Sequence, residues 1–526
     1  MSFTALLAEH VDIRRLAFTT VAGGVFAALA VTAVNEASAA GVELGSWWRA
    51  GLFFLILAGM YAARRASSRV LIRDFEAASA DLRGRFAASL RGAPLRAIEE
   101  LGDRIERATG DLSLLSTTLD SWVSGVQHLA FTFAMTFAIG LISMKALALW
   151  IFVLGWISVH LATRLRAIRA ELSDIGDTSA RLGAQVSELA DGFVQAKLDG
   201  RLAASITADI AATAEQLYAH QNAVEELDSR AFHASFVLMF LFGSGVAAFS
   251  FEPASGYEMV IFFELAWAPL FGVLAAFPEI LRAEAAATRV LRVLEELPPE
   301  PGPGEGPVEP FEVLELRAVE FSYADHLRQS EFAVGPLDLT IRRGELVFVT
   351  GGNGSGKTTM LKLLLGLYAP SRGSVVLDGQ CVRAGARQAL RDRCTVIMSR
   401  AHVFDRLYGL EDVDSEEVRA LLSELGIADA VPYRDGGFAE LRLSTGQLMR
   451  LAMVVALLER RPLCVFDEWT ANQDPEMTRW YYEVLLPRLR EAGTTVIAVS
   501  HDERYFSCAD TLVRMEAGKI AAEPPR

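Results

Sequence analysis

The stretch Gly351-Gly352-Asn353-Gly354-Ser355-Gly356-Lys357-Thr358-Thr359 decides the fold of the C-terminal half of this chain. It fits the pattern G-x-x-x-x-G-K-[ST], in which backbone N–H groups of a glycine-rich loop bind phosphate oxygens at a helix N-terminus. Residues 346–349 before it are all apolar, as in a buried parallel strand, and residues 360–365 after it predict a helix. The sequence therefore predicts a nucleoside triphosphate site rather than an ordinary glycine-rich turn.

The polar side chains of this loop have distinct expected roles. Lys357 is expected to reach the outer phosphates, and the hydroxyl of Thr358 is expected to hold Mg²⁺. The other residues predicted to bind ATP here are Gly351, Asn353, Gly354, Ser355, Gly356 and Thr359.

Two further strands are expected to end at the same edge of a largely parallel sheet. The apolar residues 463–466 lead into Asp467, a carboxylate suited to Mg²⁺, and Glu468, a general base for the attacking water. Residues 495–499 lead into Ser500 and His501, and we expect His501 to touch the terminal phosphate. A structural or solvated histidine is the alternative. The predicted catalytic residues are Glu468 and His501.

Composition limits the kind of protein. A chain of 526 residues is too long for one core, and a hydrophobic content of 52% suggests membrane spans. The net charge of −15 argues against nucleic acid as the main ligand. The cysteines form no C-x-x-C pair and suit free thiols in a reducing compartment better than disulfides or a zinc site; they are Cys381, Cys394, Cys464 and Cys508.

Six apolar runs of approximately membrane-spanning length lie in the N-terminal half. They cover residues 16–34, 47–63, 122–144, 146–163, 231–250 and 257–277. Arginines follow the second, fourth and sixth runs, whereas the turns 35–45 and 251–256 contain no Lys or Arg, so both termini are predicted to be cytoplasmic. The first run also imitates a cleavable signal peptide, but its length and the later runs favour a span.

Residues 64–120 and 164–230 predict long cytoplasmic helices that turn at Gly92-Ala93-Pro94 and at Asp191-Gly192. Dense prolines and glycines make residues 297–310 a linker. We therefore predict an α-helical membrane domain at 1–296 and an α/β P-loop ATPase domain at 311–526. Glu264 lies inside the sixth run, where a carboxylate is unfavourable by about 2.5–3.5 kcal/mol. It is expected to face a substrate cavity or to make a helix-packing hydrogen bond.

Taken together, these residues resemble the nucleotide-binding domain of ABC transporters. Leu443-Ser444-Thr445-Gly446-Gln447 stands where that superfamily has LSGGQ, although by itself it also fits an ordinary capped helix. The resemblance implies that Tyr323 stacks on adenine and that Asp474 belongs to the D-loop. It also implies that Ser444, Thr445, Gly446 and Gln447 contact the ATP of a second copy, and hence a homodimer. Ser399 or Arg400 replaces the usual Q-loop glutamine.

With six spans, the chain resembles a half-size exporter of the type IV fold, whose two coupling helices would map to residues 92–98 and 191–197. Residues 467–475, 480–487 and 500–506 more narrowly resemble exporters of cyclic peptides and siderophore precursors, relatives of the syringomycin, pyoverdine-precursor and microcin exporters. This implies ATP- and Mg²⁺-dependent export of a peptide-like substrate across a bacterial inner membrane. Its partners would be a second copy and membrane lipids, not nucleic acid. The alternatives are a lipid or hydrophobic-compound flippase, a regulated channel and a non-transporting ATPase.

Overall fold

The computed structural model describes residues 12–39, 47–142, 144–241, 253–300, 310–323, 333–439 and 442–521. The chain divides into two compact units. Unit 1 comprises Met1–Arg91 and Leu101–Leu297, and unit 2 comprises Gly92–Glu100 and Pro298–Arg526. The short segment Gly92–Glu100 therefore belongs with the C-terminal half, although it lies some two hundred positions before it in sequence.

The N-terminal half is built from helices. In chain order they are α1 Ile13–Ala39, α2 Trp47–Gly92, α3 Leu95–Thr117, α4 Leu119–Ile142, α5 Met144–Asp191, α6 Phe193–Leu198, α7 Gly200–Phe240 and α8 Pro253–Glu296. Helices α2 and α5 run for 46 and 48 residues, as their helix-favouring composition predicts. The predicted breaks are confirmed. Proline at position 94 disfavours helical backbone at Ala93, and Gly192 separates α5 from α6.

The six predicted membrane spans are not confirmed. In the parts of the chain that the structure describes, no helix combines the length and the hydropathy that a bilayer crossing requires. Part of the fifth predicted run, residues 242–250, lies outside the described residues, and so does the side chain of Glu264 within α8. The proposed roles of Glu264 therefore remain predictions.

The interior of unit 1 joins α4, α5 and α8. Its buried cluster consists of Met135, Ile139, Trp150, Val153, Ile157, Trp267 and Leu270. The indole nitrogen of Trp150 donates to the hydroxyl of Thr136 at 2.8 Å, which satisfies a polar group that is fully buried. A two-pronged ion pair from Arg289 to Asp111, at 2.7 and 2.8 Å, links α8 to α3.

Unit 2 contains the strands. They are β1 Val313–Ser322, β2 Ala333–Arg342, β3 Leu346–Thr350, β4 Arg372–Leu377, β5 Gln380–Cys381, β6 Cys394–Ile397, β7 Tyr433–Arg434, β8 Gly437–Phe438, β9 Leu463–Asp467, β10 Thr495–Val499, β11 Thr511–Glu516 and β12 Lys519–Ile520. Its helices are α9 Lys357–Leu364, α10 Arg387–Arg391, α11 Ser415–Glu424, α12 Thr445–Glu459, α13 Pro475–Trp480 and α14 Leu486–Glu491.

The main sheet has the order β12-β11-β3-β10-β9-β6, and all its pairs except β11–β12 are parallel. A second, antiparallel sheet has the order β2-β1-β4-β5. The prediction that residues 346–349 form a strand buried on both faces is confirmed. Along β3, Leu346 and Phe348 join one core cluster, whereas Val347 and Val349 join the other. Because β3, β9 and β10 are neighbours and parallel, their carboxyl ends meet at one edge.

The four cysteines are free thiols, as predicted. Burial raises the pKa of both Cys394 and Cys464 to about 12. These two thiols therefore remain protonated at neutral pH and serve as small apolar side chains in the interior of unit 2.

Candidate nucleotide site

The phosphate loop, residues 351–359, joins the carboxyl end of β3 to α9. Gly351 and Gly356 have φ of 145° and 100°, which strain any residue that carries a side chain. A Cβ at position 351 would also lie 2.3 Å from the carbonyl oxygen of Met515. Glycine is therefore required here. The loop ends at the N-terminus of α9, where the first amides of a helix have no internal partner and attract anions.

Lys357 and Ser355 place unusual polar groups inside this loop. Lys357 is only 6% exposed, and its Nζ donates to the carbonyl oxygens of Gly351 at 2.8 Å and Gly352 at 3.1 Å. The Ser355 hydroxyl is buried and has no hydrogen-bond partner among the described residues. A buried ammonium beside an unpaired buried hydroxyl fits a group with many anionic acceptor oxygens, and a triphosphate is such a group.

Thr358 contacts the end of the neighbouring strand β9. Its Oγ1 donates to Oδ2 of Asp467 at 3.2 Å, and Asp467 is 2% exposed. Burial raises the pKa of the Asp467 carboxyl, and the nearby charge of Glu468 raises it further. The Thr358 hydroxyl and the Lys357 ammonium act in the opposite direction. A hydroxyl beside a carboxylate forms an all-oxygen pair of the kind that binds Mg²⁺.

Glu468 and His501 form a pair at the same edge of the sheet. The Nε2 atom of His501 lies 3.0 Å from Oε1 of Glu468, and the Nζ of Lys357 lies 3.9 Å from that oxygen. The backbone of Glu468 is left-handed, with φ of 55°. Its side chain is partly exposed, as is that of His501. A carboxylate oriented by an imidazole and open to solvent is suited to polarising a water molecule.

Tyr482 supports the loop that carries His501. Its hydroxyl lies 2.6 Å from Oγ of Ser500, which also accepts a bond from the N–H of Asp502 at 3.1 Å. The same hydroxyl lies 3.4 Å from Oγ1 of Thr470, two residues after Glu468. The ring of Tyr482 stacks on Tyr505 with centroids 4.2 Å apart. One buried phenol therefore connects the backbone segments on both sides of the Glu468–His501 pair.

Tyr323 follows β1 and belongs to a group of three aromatic rings. It meets Phe321 and Tyr368 edge-on, with centroids 5.1 and 6.0 Å away. Its hydroxyl lies 3.2 Å from Oγ1 of Thr359, the last residue of the phosphate loop. The aromatic residue predicted to contact adenine is thus positioned against the loop that would hold the phosphates.

The segment Gly92–Glu100 contacts this aromatic group. Glu99 accepts bonds from Lys362 at 2.7 Å and from the hydroxyl of Tyr368 at 2.5 Å. Lys362 lies on α9, directly after the phosphate loop. The guanidinium of Arg96 lies 5.7 Å from the centre of the Phe321 ring. The segment that includes the turn at residues 92–94 and the first proposed coupling helix is therefore in contact with α9 and with the partners of Tyr323.

The LSTGQ residues cap α12. The hydroxyl of Ser444 accepts from the N–H of Gln447 at 3.3 Å, and the Gln447 side chain accepts from the N–H of Ser444 at 3.0 Å, a complete capping box. Gly446 is needed because a Cβ there would lie 2.6 Å from the carbonyl oxygen of Asn472. Ser444 and Thr445 are exposed. These bonds are local, and the outer face of the turn is open to a partner.

Asp474 caps α13 by accepting from the N–H of Met477 at 2.8 Å. This bond, together with the Arg450 guanidinium, holds the pKa of the Asp474 carboxyl below its usual range. Arg450 also donates to Gln473 at 2.8 Å, and Gln473 donates to the carbonyl of Gly446 at 3.2 Å. Asp474 is thereby linked to the LSTGQ turn rather than to the phosphate loop.

The Q-loop position follows β6. The side chains of Ser399 and Arg400 are exposed, but the backbone of Ser399 acts to lower the pKa of the Asp467 carboxyl. The backbone of this segment therefore influences the candidate Mg²⁺ ligand, and this influence does not depend on a glutamine side chain.

The structure assembles the predicted residues into two groups. Lys357, Thr358, Asp467, Glu468 and His501 are joined by contacts of 3.9 Å or less. Ser444–Gln447 and Asp474 form the second group on α12 and α13. Asn353 is exposed in the turn of the loop. Sequence reasoning did not single out Glu99, Tyr368 or Tyr482 as site residues, although Tyr482 lies within residues 480–487, because each contacts the site through a partner that is separate in sequence.

Known proteins contain a region similar in sequence to the part of the chain that carries the candidate site. Residues 334–471 match the sequence family described as ABC transporter. The chain is similar to the ATP-binding protein SyrD of Pseudomonas syringae pv. syringae, with 36% identity over 269 residues that cover 48% of each chain. It is also similar to the ATP-dependent lipid A-core flippase of Alkalilimnicola ehrlichii, with 29% identity over 298 residues that cover 54% of this chain and 50% of the flippase. The chain thus spans about half the length of these relatives.

A solved structure extends the likeness to nearly the whole fold. The bacterial Atm1-family ABC exporter with ATP bound superposes with a TM-score of 0.76 over 97% of this chain and 95% of that chain, at 18% identity. At this identity the likeness concerns the fold alone. Residues 334–471 thus match the ABC transporter family, within a chain that shares the fold of this exporter.

Proposed function

We propose that this chain is a half-size ABC exporter that hydrolyses ATP to move a peptide-like cargo across a bacterial inner membrane. The observation that carries the proposal is the joint placement of Lys357, Thr358, Asp467, Glu468 and His501 at the carboxyl edge of the main sheet. An ATPase needs a phosphate-binding cation, oxygen ligands for a metal and a base for water, and these five side chains supply them.

Each side chain has a role that follows from its contacts. Lys357 would exchange its bonds to the loop carbonyls for the phosphates, and Ser355 would donate its unpaired hydroxyl. Thr358 and Asp467 would hold Mg²⁺, which when bound supplies positive charge next to the outer phosphate oxygens. Glu468, oriented by His501, would accept a proton from the attacking water. Tyr323 would stack on the adenine.

We infer that two copies form the working unit. Ser444 and Thr445 are exposed, and Gln447 is used in capping its own helix, so the outer face of the LSTGQ turn is open to a second chain. In the family that the motif resembles, this turn completes the ATP site of the partner. A test measures the molar mass of the Glu468→Gln variant in solution with ATP and Mg²⁺. A monomer under conditions that preserve ATP binding would contradict the homodimer.

We propose that unit 1 is the membrane domain, with six spans and with both termini in the cytoplasm. Large apolar side chains are exposed along α1, α2, α4 and α5, whereas soluble monomers rarely expose extended apolar surface. Examples are Phe18, Phe54, Leu55, Phe133, Phe137, Phe152 and Trp156, which are between 44 and 76% exposed. Lipid is the environment that such a surface fits.

The proposed cargo is a cyclic or lasso peptide, or a siderophore precursor, and the similarity to SyrD supports a peptide over other cargoes. A lipid flippase is the second candidate, because lipid A-core flippases are also among the relatives. The two predict different behaviour. A peptide exporter is stimulated by apolar peptides, whereas a flippase is stimulated by lipid and leaves peptides on their original side.

The deciding experiment uses the full chain in sealed proteoliposomes with the ATP-binding side outward. We expect ATP-dependent accumulation of a labelled cyclic peptide, with none for the Glu468→Gln variant. Lipid translocation without peptide uptake would assign the flippase instead. ATP hydrolysis without movement of either would indicate a non-transporting ATPase, and flux without ATP hydrolysis would indicate a channel.

A further inference from the structure

We infer that a cavity in unit 1, enclosed by α1, α2, α4 and α8, is a binding site for the anionic group of a molecule with an apolar body. The cavity has a volume of about 300 Å³, at the lower end of the range for small-molecule sites. The inference rests on the proposed export function and names a chemical feature of the cargo.

One end of the cavity is polar. Arg64 on α2 donates through Nε to Oε1 of Gln127 on α4 at 3.0 Å. Gln127 in turn donates to Oγ of Ser68 at 2.5 Å and to the carbonyl of Arg64 at 3.3 Å. These bonds orient the guanidinium through one nitrogen. Because none of the described residues that line the cavity is acidic, the positive charge of Arg64 has no carboxylate within the cavity.

Further hydroxyls stand near the same end. Thr20 on α1 lies 3.1 Å from Ser67 on α2, measured between the two hydroxyl oxygens, and Ser67 is 2% exposed. Both residues line the cavity. A guanidinium held through Nε, with no hydrogen-bond partner for its terminal nitrogens among the described residues and with hydroxyl donors beside it, is the arrangement that binds carboxylate or phosphate oxygens.

The opposite lining is apolar and contains Met60, Phe131 and Pro269. This surface suits an aliphatic or aromatic side chain and offers little to a hydrated ion. The ligand that fits both ends is therefore an amphipathic molecule, for example a peptide with a terminal carboxylate or a lipid with a phosphate. A free inorganic anion would leave the apolar surface without a partner.

Close packing keeps the space open. A Cβ at position 272 on α8 would lie only 2.2 Å from the ring of His128, which lines the cavity. A Cβ at position 24 on α1 would lie 2.6 Å from Cβ of Ala134 on α4. Glycine at these two sites lets α8 pack closely against the imidazole of His128 and lets α1 pack closely against α4. The cavity is thus the space left by specific close contacts of the surrounding helices.

The test measures binding by calorimetry to the full chain in lipid nanodiscs without ATP. The probes are acetyl-Leu-Phe-Leu with a free carboxylate, its neutral carboxamide, and hexyl phosphate. We expect the carboxylate probe to bind at least about tenfold more tightly than the carboxamide, as charge-assisted bonds to Arg64 require. Comparison of the carboxylate with the phosphate probe identifies the source of the anionic group. Equal binding of charged and neutral probes would overturn the inference.

Variants locate the site. Arg64→Gln should remove the preference for the anionic probes, and Arg64→Lys should retain part of it. The matched control is Arg65→Gln, which removes the same charge from the adjacent, exposed position of α2 that does not line the cavity. If Arg65→Gln weakens anion binding as much as Arg64→Gln, the effect is one of general surface charge and the inference is wrong.

Folding and the proposed function are controlled separately. Helical content and the melting temperature of each variant exclude misfolding, and ATP hydrolysis is measured on the same preparations. ATP-driven peptide transport with unchanged probe binding in Arg64→Gln would refute the cavity assignment while leaving the export function standing. Anion-selective binding in a chain that transports nothing would uphold the site and refute the transport function.

Discussion

Oε1 of Glu468 lies within 3.0 Å of Nε2 of His501 and within 3.9 Å of Nζ of Lys357, so one carboxylate oxygen connects two loops at the carboxyl edge of the sheet. The loops that carry Glu468 and His501 follow the adjacent parallel strands β9 and β10, whose register pairs Asp467 with Val499. This pairing places the proposed base next to the residue that would touch the terminal phosphate.

Glu468→Gln should retain ATP binding and lose most of the hydrolysis, because an amide keeps the shape of the side chain but does not accept the proton. A general base contributes about 10²–10⁴ to the rate, and we expect kcat to fall by that factor in a phosphate-release assay. Binding of a fluorescent ATP analogue should be unchanged. The control is Glu503→Gln, at an exposed position two residues after His501. Hydrolysis at the parental rate in Glu468→Gln would remove Glu468 from the mechanism.

Tyr482→Phe should lower kcat while leaving KM for ATP nearly unchanged. The variant removes the hydroxyl that bonds to Ser500, a residue 2% exposed, and leaves the segment before His501 less firmly held. We expect a reduction of about three- to tenfold, equivalent to about 0.7–1.4 kcal/mol. Tyr505→Phe, which preserves the ring stacked on Tyr482, is the control. Equal kcat in the two variants would show that the Tyr482 hydroxyl does not position His501.

Glu99→Gln should reduce the stimulation of ATP hydrolysis by cargo more than it reduces the basal rate. The variant weakens the bonds from Glu99 to Lys362 and Tyr368, and the helix α3 that carries Glu99 continues into residues of unit 1. Coupling contacts of this kind contribute about 0.5–2 kcal/mol, so the stimulated increment should fall several-fold. Glu106→Gln, an exposed position on the same helix, should change neither rate. A proportional loss of basal and stimulated rates would indicate a purely structural role.

Asp467→Asn should raise the melting temperature of the nucleotide-free protein at pH 7.5 and abolish Mg²⁺-dependent hydrolysis. Burial raises the pKa of Asp467, so its ionised form is disfavoured in the folded state. This destabilisation is complete above the folded-state pKa and disappears as the pH falls below the ordinary aspartate pKa. The gain in melting temperature over the parent should therefore shrink toward pH 4.

Asp474→Asn is the control, because it should shift the melting temperature in the opposite direction. The N–H of Met477 and the Arg450 guanidinium lower the pKa of Asp474, so its ionised form stabilises the fold above the ordinary aspartate pKa. Its replacement should lower the melting temperature at pH 7.5. If both variants shift the melting temperature in the same direction, the buried charge of Asp467 is not the cause of the first effect.

The candidate nucleotide site could be located from the sequence because its parts have local causes. Glycine at 351 and 356 reflects the backbone angles of the loop, and the alternating core contacts of β3 follow from an apolar run between two sheet faces. The order of apolar strands ending in Asp467 and His501 predicted a shared edge, since parallel strands bring their carboxyl ends together. The helix breaks at Ala93 and Gly192 were predictable for the same reason, because residues that disfavour helical backbone stand at each break.

Other features depended on the tertiary structure, because they join residues whose sequence separation leaves no periodic signal. Glu99 bonds to Tyr368 across 269 positions, and neither residue belongs to a recognisable motif. The guanidinium of Arg64 meets Gln127 across 63 positions, and two glycines shape the cavity around them. Local sequence determined which loops are candidates to bind phosphate and metal, whereas the packing of distant helices decided which contacts reach them and where a cargo could bind.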